Sequence, residues 1–387
     1  MRVYMDNAAT TPVKPRVLEA MLPYFSEKFG NPSSLHAFAQ QTAAGLEKAR
    51  GQVADALGAS PGEIVFTGGG TESDNAVLRG VAKKYAGKGR HIITTAVEHH
   101  AILHTCEALE KEGYEITYLP VDEYGLVLAD DVKNAIRPGT ILVSVLFANN
   151  EVGTLMPIAQ IAAACKEKGV LFHTDAVQAI GHIPIDVNAM GIDFLSLSAH
   201  KFHGPKGVGA LYIKKGVSMS PFIYGGGQER GRRAGTENVP GIVGLGEAIE
   251  MATADIESEN RKITALRNRL IAGIQERIPD VKLNGHPMLR LPNNVNFSIK
   301  YIEGEGMLLL LDIKGIAASS GSACTSGSLD PSHVLLAMGL SHELAHGSLR
   351  LTLSGETTAQ EVEYVLDTLP PVVQRLRDMS PLNKVRP

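Results

Sequence analysis

Short apolar segments alternate with segments of helical spacing through the first two-thirds of the chain. Seven of them are rich in β-branched and other apolar residues, which is typical of buried strands. They are Ile64–Thr67, His91–Thr95, Glu115–Leu119, Ile141–Phe147, Val170–Thr174, Phe194–Ser198 and Val208–Ile213. Helical spacing is found between several of them, over Thr71–Lys84, His99–Glu112 and Ile158–Lys168. This alternation predicts an α/β fold, with a mostly parallel seven-stranded sheet covered by helices on both faces.

The pattern changes near residue 255, where a long charged segment carries an apolar stripe at helical spacing. The stripe consists of Ile263, Leu266, Leu270 and Ile274. Further strands are predicted over Val295–Ile299 and Leu349–Leu353, and a closing helix is predicted from Thr358. We therefore predict a large domain over residues 15–255 and a smaller α+β domain formed by residues 1–14 and 256–387.

Composition restricts the possible partners. The 387 residues carry 37 Lys and Arg against 41 Asp and Glu, and this net charge of −4 argues against nucleic acid or a membrane surface as the main ligand. No run approaches the ~20 apolar residues of a membrane span, and the first residues lack the apolar core of a secretory signal. The 3 cysteines are too widely spaced for a disulfide framework or a cysteine-rich metal site. We expect a cytoplasmic protein with no nucleic-acid or membrane partner.

Polar and glycine-rich groups follow five of the predicted strands. In open α/β sheets ligands bind beyond the carboxyl ends of the strands, so these groups are expected to share one site. They are Gly70 with Thr71, His99, Asn150, Asp175 with Gln178, and Ser198 with His200 and Lys201. Taken singly, each has a structural explanation, such as a capped turn or a solvated lysine. Taken together, they are typical of a binding site.

This combination of groups matches the needs of pyridoxal 5'-phosphate (PLP). The cofactor requires a lysine that can form a Schiff base and a carboxylate for its pyridinium nitrogen, and we expect Lys201 and Asp175 to fill these roles. His99 would stack on the ring, and Gln178 would hydrogen-bond the phenolic oxygen. The phosphate would be held at a glycine-rich turn and helix start. The residues expected there are Gly70, Thr71, Ser198 and His200.

A series of motifs runs along the chain from end to end. In order they are Y-M-D-N-A-A-T-T-P, F-G-N-P-S-S-L-H, T-E-S-D-N, E-H-H-A, N-N-E-V-G, T-D-A-V-Q, S-A-H-K-F-H-G-P-K-G, G-G-G-Q-E-R-G-R-R-A-G-T-E-N, S-S-G-S-A-C-T-S-G-S and E-L-A-H-G-S-L-R. Their order and spacing resemble those of the cysteine desulfurases of the NifS/IscS type. The resemblance implies a fold-type I PLP-dependent transferase of the class-V aminotransferase family, with Lys201 as the Schiff-base lysine. It also implies a homodimer in which Thr236 reaches the phosphate bound by the other subunit.

Cys324 lies in a segment rich in glycine, serine and threonine, between the predicted strand Ile316–Ala318 and a helix starting near Pro331. Such a segment predicts an exposed loop, where a thiol is uncommon unless it is used, although an incidental surface cysteine would look the same. The resemblance implies that Cys324 attacks the sulfur of the substrate and becomes a persulfide. We interpret Cys106 and Cys165, which lie among apolar neighbours on predicted helices, as core residues.

The resemblance also implies the reaction and its partners. L-cysteine becomes L-alanine, and its sulfur moves to Cys324 and then to an acceptor, often an iron–sulfur scaffold protein of the IscU/NifU type. Cys324 could be a transient iron–sulfur ligand with that partner, and no other metal is expected. Arg350 and Asn150 are expected to bind the substrate α-carboxylate, although Arg350 alone would be equally typical of a surface salt bridge. Lys201, with His99 as a helper, would move the α-proton.

Other classes of protein fit parts of the pattern. An aminotransferase or a cysteine/selenocysteine lyase would also use PLP, but a transaminase has no need of Cys324. A non-catalytic sulfur carrier is opposed by the complete set of PLP groups. The segment His342-Glu343-Leu344-Ala345-His346 matches H-E-x-x-H, the helix motif of zinc metalloproteases. Gly347 follows directly, so the helix would be short, and no third ligand can be assigned downstream.

Overall fold

Strands and helices alternate along residues 1–321 and 331–380, which are the residues that our computed structural model describes. The strands are β1 (Val3–Tyr4), β2 (Ile64–Thr67), β3 (His91–Thr95), β4 (Glu115–Leu119), β5 (Thr140–Ser144), β6 (Leu171–Asp175), β7 (Phe194–Ser198), β8 (Gly209–Ile213), β9 (Val281–Leu283), β10 (Asn294–Ile299), β11 (Ile316–Ala317) and β12 (Ser348–Thr352). The helices are α1 (Pro15–Met21), α2 (Pro23–Ser26), α3 (Ala37–Leu57), α4 (Gly70–Tyr85), α5 (His100–Lys111), α6 (Ala129–Ala135), α7 (Ile158–Lys168), α8 (Val239–Thr253), α9 (Ile256–Arg277), α10 (Gly304–Ile313), α11 (His333–Ala337), α12 (His342–His346) and α13 (Ala359–Met379).

The central sheet has seven strands in the order β2–β8–β7–β6–β5–β3–β4. Neighbouring strands from β7 to β4 are parallel, whereas β8 runs antiparallel to both β7 and β2. Apolar side chains fill the space on both faces, since alternate residues of one strand contribute to different cores: Phe194 packs on one face and Leu195 on the other. The predicted α/β fold with a mostly parallel seven-stranded sheet is confirmed.

Strands β2, β3, β4 and β7 have the predicted bounds, whereas β5 ends earlier than predicted although its hydrogen bonding continues. β5 ends at Ser144 rather than at Phe147, yet the N–H groups of Val145 and Phe147 still donate to the carbonyls of His173 and Asp175. The apolar run therefore remains hydrogen-bonded to β6 after β5 itself has ended. This extension carries the chain to the turn at residues 149–153 beside the carboxyl end of the sheet.

A second core is built on the antiparallel sheet β12–β10–β9, against which α9, α10 and α13 pack. The predicted stripe on α9 faces this core: Ile263, Leu270 and Ile274 are buried, and Leu266 is partly buried against them. The amino-terminal strand β1 pairs with β11 in parallel and joins this core through Val3 and Met5. Helices α11 and α12, by contrast, pack on the core of the large sheet. The domain boundary near residue 255 stays a prediction.

Among the described residues, no helix combines the length and the apolar character that crossing a bilayer requires.

Candidate active site

A cleft of about 860 Å³ opens at the carboxyl ends of the parallel strands. Ten of the predicted site residues line it: Gly70, Thr71, His99, Asn150, Asp175, Gln178, Ser198, His200, Lys201 and Arg350. The structure therefore brings together groups that are separated by up to 280 positions in the chain. Thr236 is exposed and is absent from the residues that line the cleft. Cys324 lies outside the described residues.

Lys201 lies at the end of a short 3-10 turn that directly follows β7. Its Nζ donates hydrogen bonds to the carbonyl oxygens of Ala8 (2.5 Å) and Ala9 (2.9 Å). The amide of Gln178 donates to the same Ala8 carbonyl at 2.9 Å. Carbonyl acceptors suit an ammonium group, so the amino-terminal segment holds the lysine at the cleft until a ligand replaces these contacts. The sequence reasoning missed this part of the site, because backbone acceptors leave no signal in residue type.

Asp175 is the last residue of β6 and is only 8% exposed. Its Oδ1 accepts a hydrogen bond from the Val177 N–H at 2.9 Å, which fixes the orientation of the carboxylate. Burial raises its pKa to about 6, against opposing effects of the Val177 N–H and of the Lys201 charge. A buried carboxylate of this kind gains from a cationic partner, which a protonated ring nitrogen would supply.

Behind Asp175 lies a second buried carboxyl group, Asp74, which is 1% exposed. Its pKa is raised well above the ordinary value, first by burial and then by the charge of Asp175. Its Oδ1 has no hydrogen-bond partner among the described atoms and lies 3.7 Å from Nε2 of His173. Burial lowers the pKa of His173 to about 3, so this histidine is neutral. Asp74 was missed at the sequence level, although it lies one helical turn after Gly70 and thus on the same face of α4.

His99 is the N-cap residue of α5, which begins one position after the start predicted from the sequence pattern. Its Nδ1 accepts a hydrogen bond from the N–H of Ala101 at 3.1 Å, so the ring proton is assigned to Nε2. Burial, followed by the charge of Lys201, lowers the pKa of His99 to about 4. His99 therefore offers the cleft a neutral ring with a fixed tautomer.

The turn between β2 and α4 forms the end of the cleft that suits an anion. No side chain among the described residues caps α4, and its N-cap residue, Gly69, has a φ of +149°. Ser198 lies beside this turn, since a Cβ atom on Gly69 would be 3.7 Å from its Oγ, and His200 lines the same cleft. An uncapped helix N-terminus that follows a glycine turn is a suitable binding site for a phosphate group.

Arg350 lies within β12 and is 3% exposed. Its Nη1 donates to the carbonyl of Asn150 at 2.9 Å, and its Nη2 forms an ion pair with Asp6 at 2.9 Å. The salt bridge considered at the sequence level is thus present, but it joins the buried Arg350 to the half-buried Asp6 rather than two groups on the open surface. Nε of Arg350 is buried with no hydrogen-bond partner in the described chain. Because the Arg350 side chain lines the cleft, its positive charge suits an anionic ligand such as a substrate carboxylate.

Neither remaining cysteine among the described residues has the environment of a nucleophile. Cys106 and Cys165 are buried, as predicted. Burial raises the pKa of both thiols, that of Cys165 to about 12. At neutral pH both therefore remain thiols, which are poor nucleophiles.

The H-E-x-x-H segment forms α12, a helix of only five residues on which His342, Glu343 and His346 are exposed. Within residues 1–321 and 331–380, no group of three or more histidine, cysteine or acidic side chains could hold a metal ion. The described part of the chain therefore offers this segment no third ligand of the kind that a zinc protease needs.

The donor set of the cleft fits PLP. It combines an amine held by carbonyls, a buried carboxylate whose pKa is raised, a neutral histidine and an uncapped helix N-terminus. These match the aldehyde, ring nitrogen, ring face and phosphate of the cofactor respectively.

Comparisons with known proteins agree with this fit. The family model described as aminotransferase class-V matches residues 3–365. A cysteine desulfurase IscS from Methanosarcina thermophila is 60% identical over 98% of this chain and 94% of that protein. Another from Clostridium botulinum is 61% identical over 98% of this chain and 96% of that protein. A solved structure described as a NifS-like protein superposes with a TM-score of 0.92 at 42% identity, covering 97% of this chain and all of that one. The chain belongs to the class-V aminotransferase family, among its PLP-dependent cysteine desulfurases.

Proposed function

We propose that the chain takes the sulfur of L-cysteine onto Cys324, releases L-alanine, and passes the sulfur on to an acceptor protein. The observation that carries this proposal is the meeting of Lys201, Asp175 and Arg350 around one cleft. These residues supply a Schiff-base amine, a partner for a ring cation and a partner for a substrate carboxylate. Relatives that share more than half of the sequence are named cysteine desulfurases, which favours L-cysteine as the substrate.

The described residues have separate tasks in this reaction. Bound PLP supplies an electron sink that activates the bond between Cβ and Sγ of the substrate. Arg350, with Asn150, holds the α-carboxylate and thereby orients the substrate. Lys201 moves the α-proton through its Nζ. Asp175 keeps the proton on the ring nitrogen, and the neutral His99 lies against the same cleft.

Cys324 accepts the sulfur. Its thiolate attacks Sγ of the substrate, so that an S–S bond forms as the Cβ–Sγ bond breaks, and the electron pair of the broken bond remains on the carbon side. Protonation of that carbon gives alanine. The net reaction converts L-cysteine and the Cys324 thiol into L-alanine and a Cys324 persulfide, and no external oxidant is needed. An acceptor thiol or a reductant then removes the outer sulfur.

The partners follow from the same proposal. Large apolar side chains are exposed between residues 18 and 38, namely Leu18, Leu22, Phe25, Phe29, Leu35 and Phe38. Several large exposed apolar side chains on one stretch of the chain suit the interface of a homodimer. In that dimer Thr236 would contact the phosphate of the neighbouring subunit. An iron–sulfur scaffold protein would accept the sulfur in the cytoplasm.

An anaerobic incubation with L-cysteine and a thiol reductant tests the proposed function. Sulfide and alanine are assayed together for the wild type, for Cys324→Ala, and for Cys165→Ala as a control that removes a buried thiol. We expect equal amounts of sulfide and alanine from the wild type and the control, and loss of both products with Cys324→Ala. Pyruvate with sulfide from all three proteins would instead identify a lyase, and a Cys324→Ala variant with full activity would refute the role of Cys324.

A further inference from the structure

The turn that presents Asn150 is fixed from both sides by asparagine side chains. Asn149 accepts hydrogen bonds through its Oδ1 from the N–H groups of Glu151 (2.8 Å) and Val152 (2.9 Å). The carbonyl of Glu151 accepts from the side-chain amides of Asn294 (3.1 Å) and Asn296 (3.0 Å) of β10. The main chain at Glu151 is therefore held between the core of the large sheet and the second core. The position of its Cβ atom, from which the side chain extends, is thereby fixed.

The Glu151 side chain is directed away from solvent and toward Ser332 and Gly321. It is 3% exposed, and its Oε2 accepts a hydrogen bond from the Ser332 hydroxyl at 2.5 Å. A Cβ atom placed on Gly321 would lie 3.0 Å from the same oxygen, so the carboxylate packs directly against the Gly321 backbone. Gly321 has a φ of +93°, a conformation that favours glycine.

Gly321 and Ser332 lie on the two sides of the segment that contains Cys324. Gly321 is the last described residue before it, and Ser332 lies one position after Pro331, the first described residue beyond it. Gly321 is anchored further by its N–H to the Ser319 hydroxyl, and Ser319 forms backbone hydrogen bonds with Arg350. Ser332 in turn caps α11 by accepting from the Leu335 N–H at 3.2 Å. One carboxylate thus contacts both ends of the segment beside the proposed substrate site.

We propose that Glu151 is a positioning residue for sulfur transfer, because its carboxylate joins both ends of the Cys324 segment to the turn that presents Asn150. This inference rests on the proposed role of Cys324. The step that it affects is the attack of the Cys324 sulfur on the substrate, which depends on the placement of two reacting atoms. Asp175, Lys201 and Arg350, on which binding of cofactor and substrate depends, form hydrogen bonds with Val177, with Ala8 and with Asn150 respectively.

The test compares four substitutions. Glu151→Ala and Ser332→Ala each remove the hydrogen bond, whereas Glu151→Gln keeps an oxygen acceptor and the shape of the side chain. Ser341→Ala is the matched control, because Ser341 also caps a five-residue helix by accepting from the Leu344 N–H but has no hydrogen bond to Glu151. The rate of Cys324 persulfide formation is measured in a single turnover by rapid quenching and mass spectrometry of the Cys324 peptide. The half-saturating concentration of L-cysteine is read from the cofactor absorbance.

We expect Glu151→Ala and Ser332→Ala to slow persulfide formation about tenfold, with half-saturation by cysteine within about twofold of the wild type. The double variant should be no slower than the slower single one, since both changes remove the same bond. Glu151→Gln should stay within about threefold of the wild type, and Ser341→Ala should be indistinguishable from it.

The inference would be overturned if both alanine variants formed the persulfide at rates within about twofold of the wild type. It would also be overturned if the two fold-effects multiplied in the double variant, because the substitutions would then act independently. Should Glu151→Ala fail to fold, Ser332→Ala decides alone, with its thermal midpoint compared with that of Ser341→Ala. A Cys324→Ala protein is run in parallel. If it still desulfurates cysteine, the proposed function fails and the inference fails with it; if it is inactive while Ser332→Ala is normal, only the inference fails.

Discussion

The buried position of the Asp175 carboxylate suits its proposed role as partner of a protonated ring nitrogen, but it destabilises the cofactor-free protein. Its ordinary pKa of 3.8 is raised to about 6 by burial. The folded protein therefore binds this proton more tightly than the unfolded chain does. Above pH 6 the group is ionised in both states, and the buried charge then opposes folding. This opposition disappears as the pH falls from 6 toward 4.

Replacement of Asp175 by asparagine should therefore stabilise the cofactor-free protein while it inactivates the enzyme. The amide can still accept from the Val177 N–H, and no charge is buried, so we expect a gain of about 2–3 kcal/mol in the free energy of unfolding at pH 7.5. The gain should vanish near pH 4. Turnover of the PLP-loaded variant should fall by more than about 100-fold. Urea unfolding of the cofactor-free proteins at several pH values measures the first effect.

The exposed Asp130→Asn substitution serves as the control for this experiment. It changes the same chemical group in the first turn of α6, outside the cleft. A cofactor-free Asp175→Asn protein that is less stable than the wild type at pH 7.5 would contradict the assignment of a penalised charge to Asp175.

At the residue scale, the sequence predicted the side chains whose functional groups are typical of a PLP site. Lys201, Asp175 and His99 all follow strands, and the rule that parallel strands end at one edge was sufficient to bring them together. Ala8 and Ala9 could not be predicted in the same way, because they contribute backbone carbonyls from a distant segment. Glu151 was part of a quoted motif, yet its contact with Ser332 depends on the packing of two segments 181 positions apart.

Among the secondary-structure elements, the connection between β2 and α4 shows how close packing shapes the cleft. Gly70 is buried at the start of α4, and a Cβ atom there would lie 2.7 Å from Cγ2 of Val177. Val177 in turn donates its N–H to Asp175. The N-terminus of α4 and the turn that orients Asp175 are thus in direct contact, and position 70 needs glycine for close approach rather than for a positive φ.

Substitution of Gly70 by alanine should displace α4 from the cleft and weaken PLP binding by about tenfold or more. A Gly70→Ala/Val177→Ala double variant should recover much of the affinity, because it removes the clashing methyl group. Gly51→Ala, on α3, is the control, since a Cβ atom there meets nothing within 4 Å. Titration of the cofactor-free proteins with PLP, followed by absorbance, measures the effect. Unchanged affinity for Gly70→Ala would show that this end of the cleft does not depend on the close packing.

Element type was predictable from periodicity, whereas exact ends were not. β3, β4 and β7 have the predicted bounds, because each apolar run stops where the chain leaves the sheet. α5 begins at His100 rather than at His99, since the His99 side chain accepts a hydrogen bond at the N-cap position instead of continuing the helix. The pairing of the strands could not be predicted from the hydrophobic pattern either, because the antiparallel insertion of β8 between β2 and β7 is a property of the assembled sheet.

At the scale of the whole molecule, the exposed apolar side chains between residues 18 and 38 connect the proposed dimer with the cofactor site. Phe29 and Phe38 are in ring contact at 5.6 Å, and Leu35 is 96% exposed. If this patch forms the interface, the affinity for PLP depends on dimerisation through Thr236 of the second subunit. Loss of the dimer and loss of the cofactor should then occur together.

Introduction of a charge at Phe29 or Leu35 should convert the dimer to monomers and weaken PLP binding about tenfold. Thr236→Ala should weaken binding to a similar degree while the protein remains dimeric. Leu309→Asp, on the exposed side of α10, should change neither property. Sedimentation velocity with parallel PLP titration measures both. Monomers of Phe29→Asp that bind PLP as tightly as the wild type would show that Thr236 acts within its own subunit or not at all.

The contacts of the amino-terminal segment have a consequence for the order in which the protein matures on the ribosome. Met5 donates its N–H to the Ala317 carbonyl, and the Asn7 side chain and the Ala8 N–H bond to Thr352. The neighbouring carbonyls of Ala8 and Ala9 hold Lys201. Residues 5–9 thus reach their final place only after Thr352 has emerged from the exit tunnel. The large sheet, which ends at β8, can form earlier during synthesis, but Lys201 gains its native carbonyl neighbours only after β12 has been made.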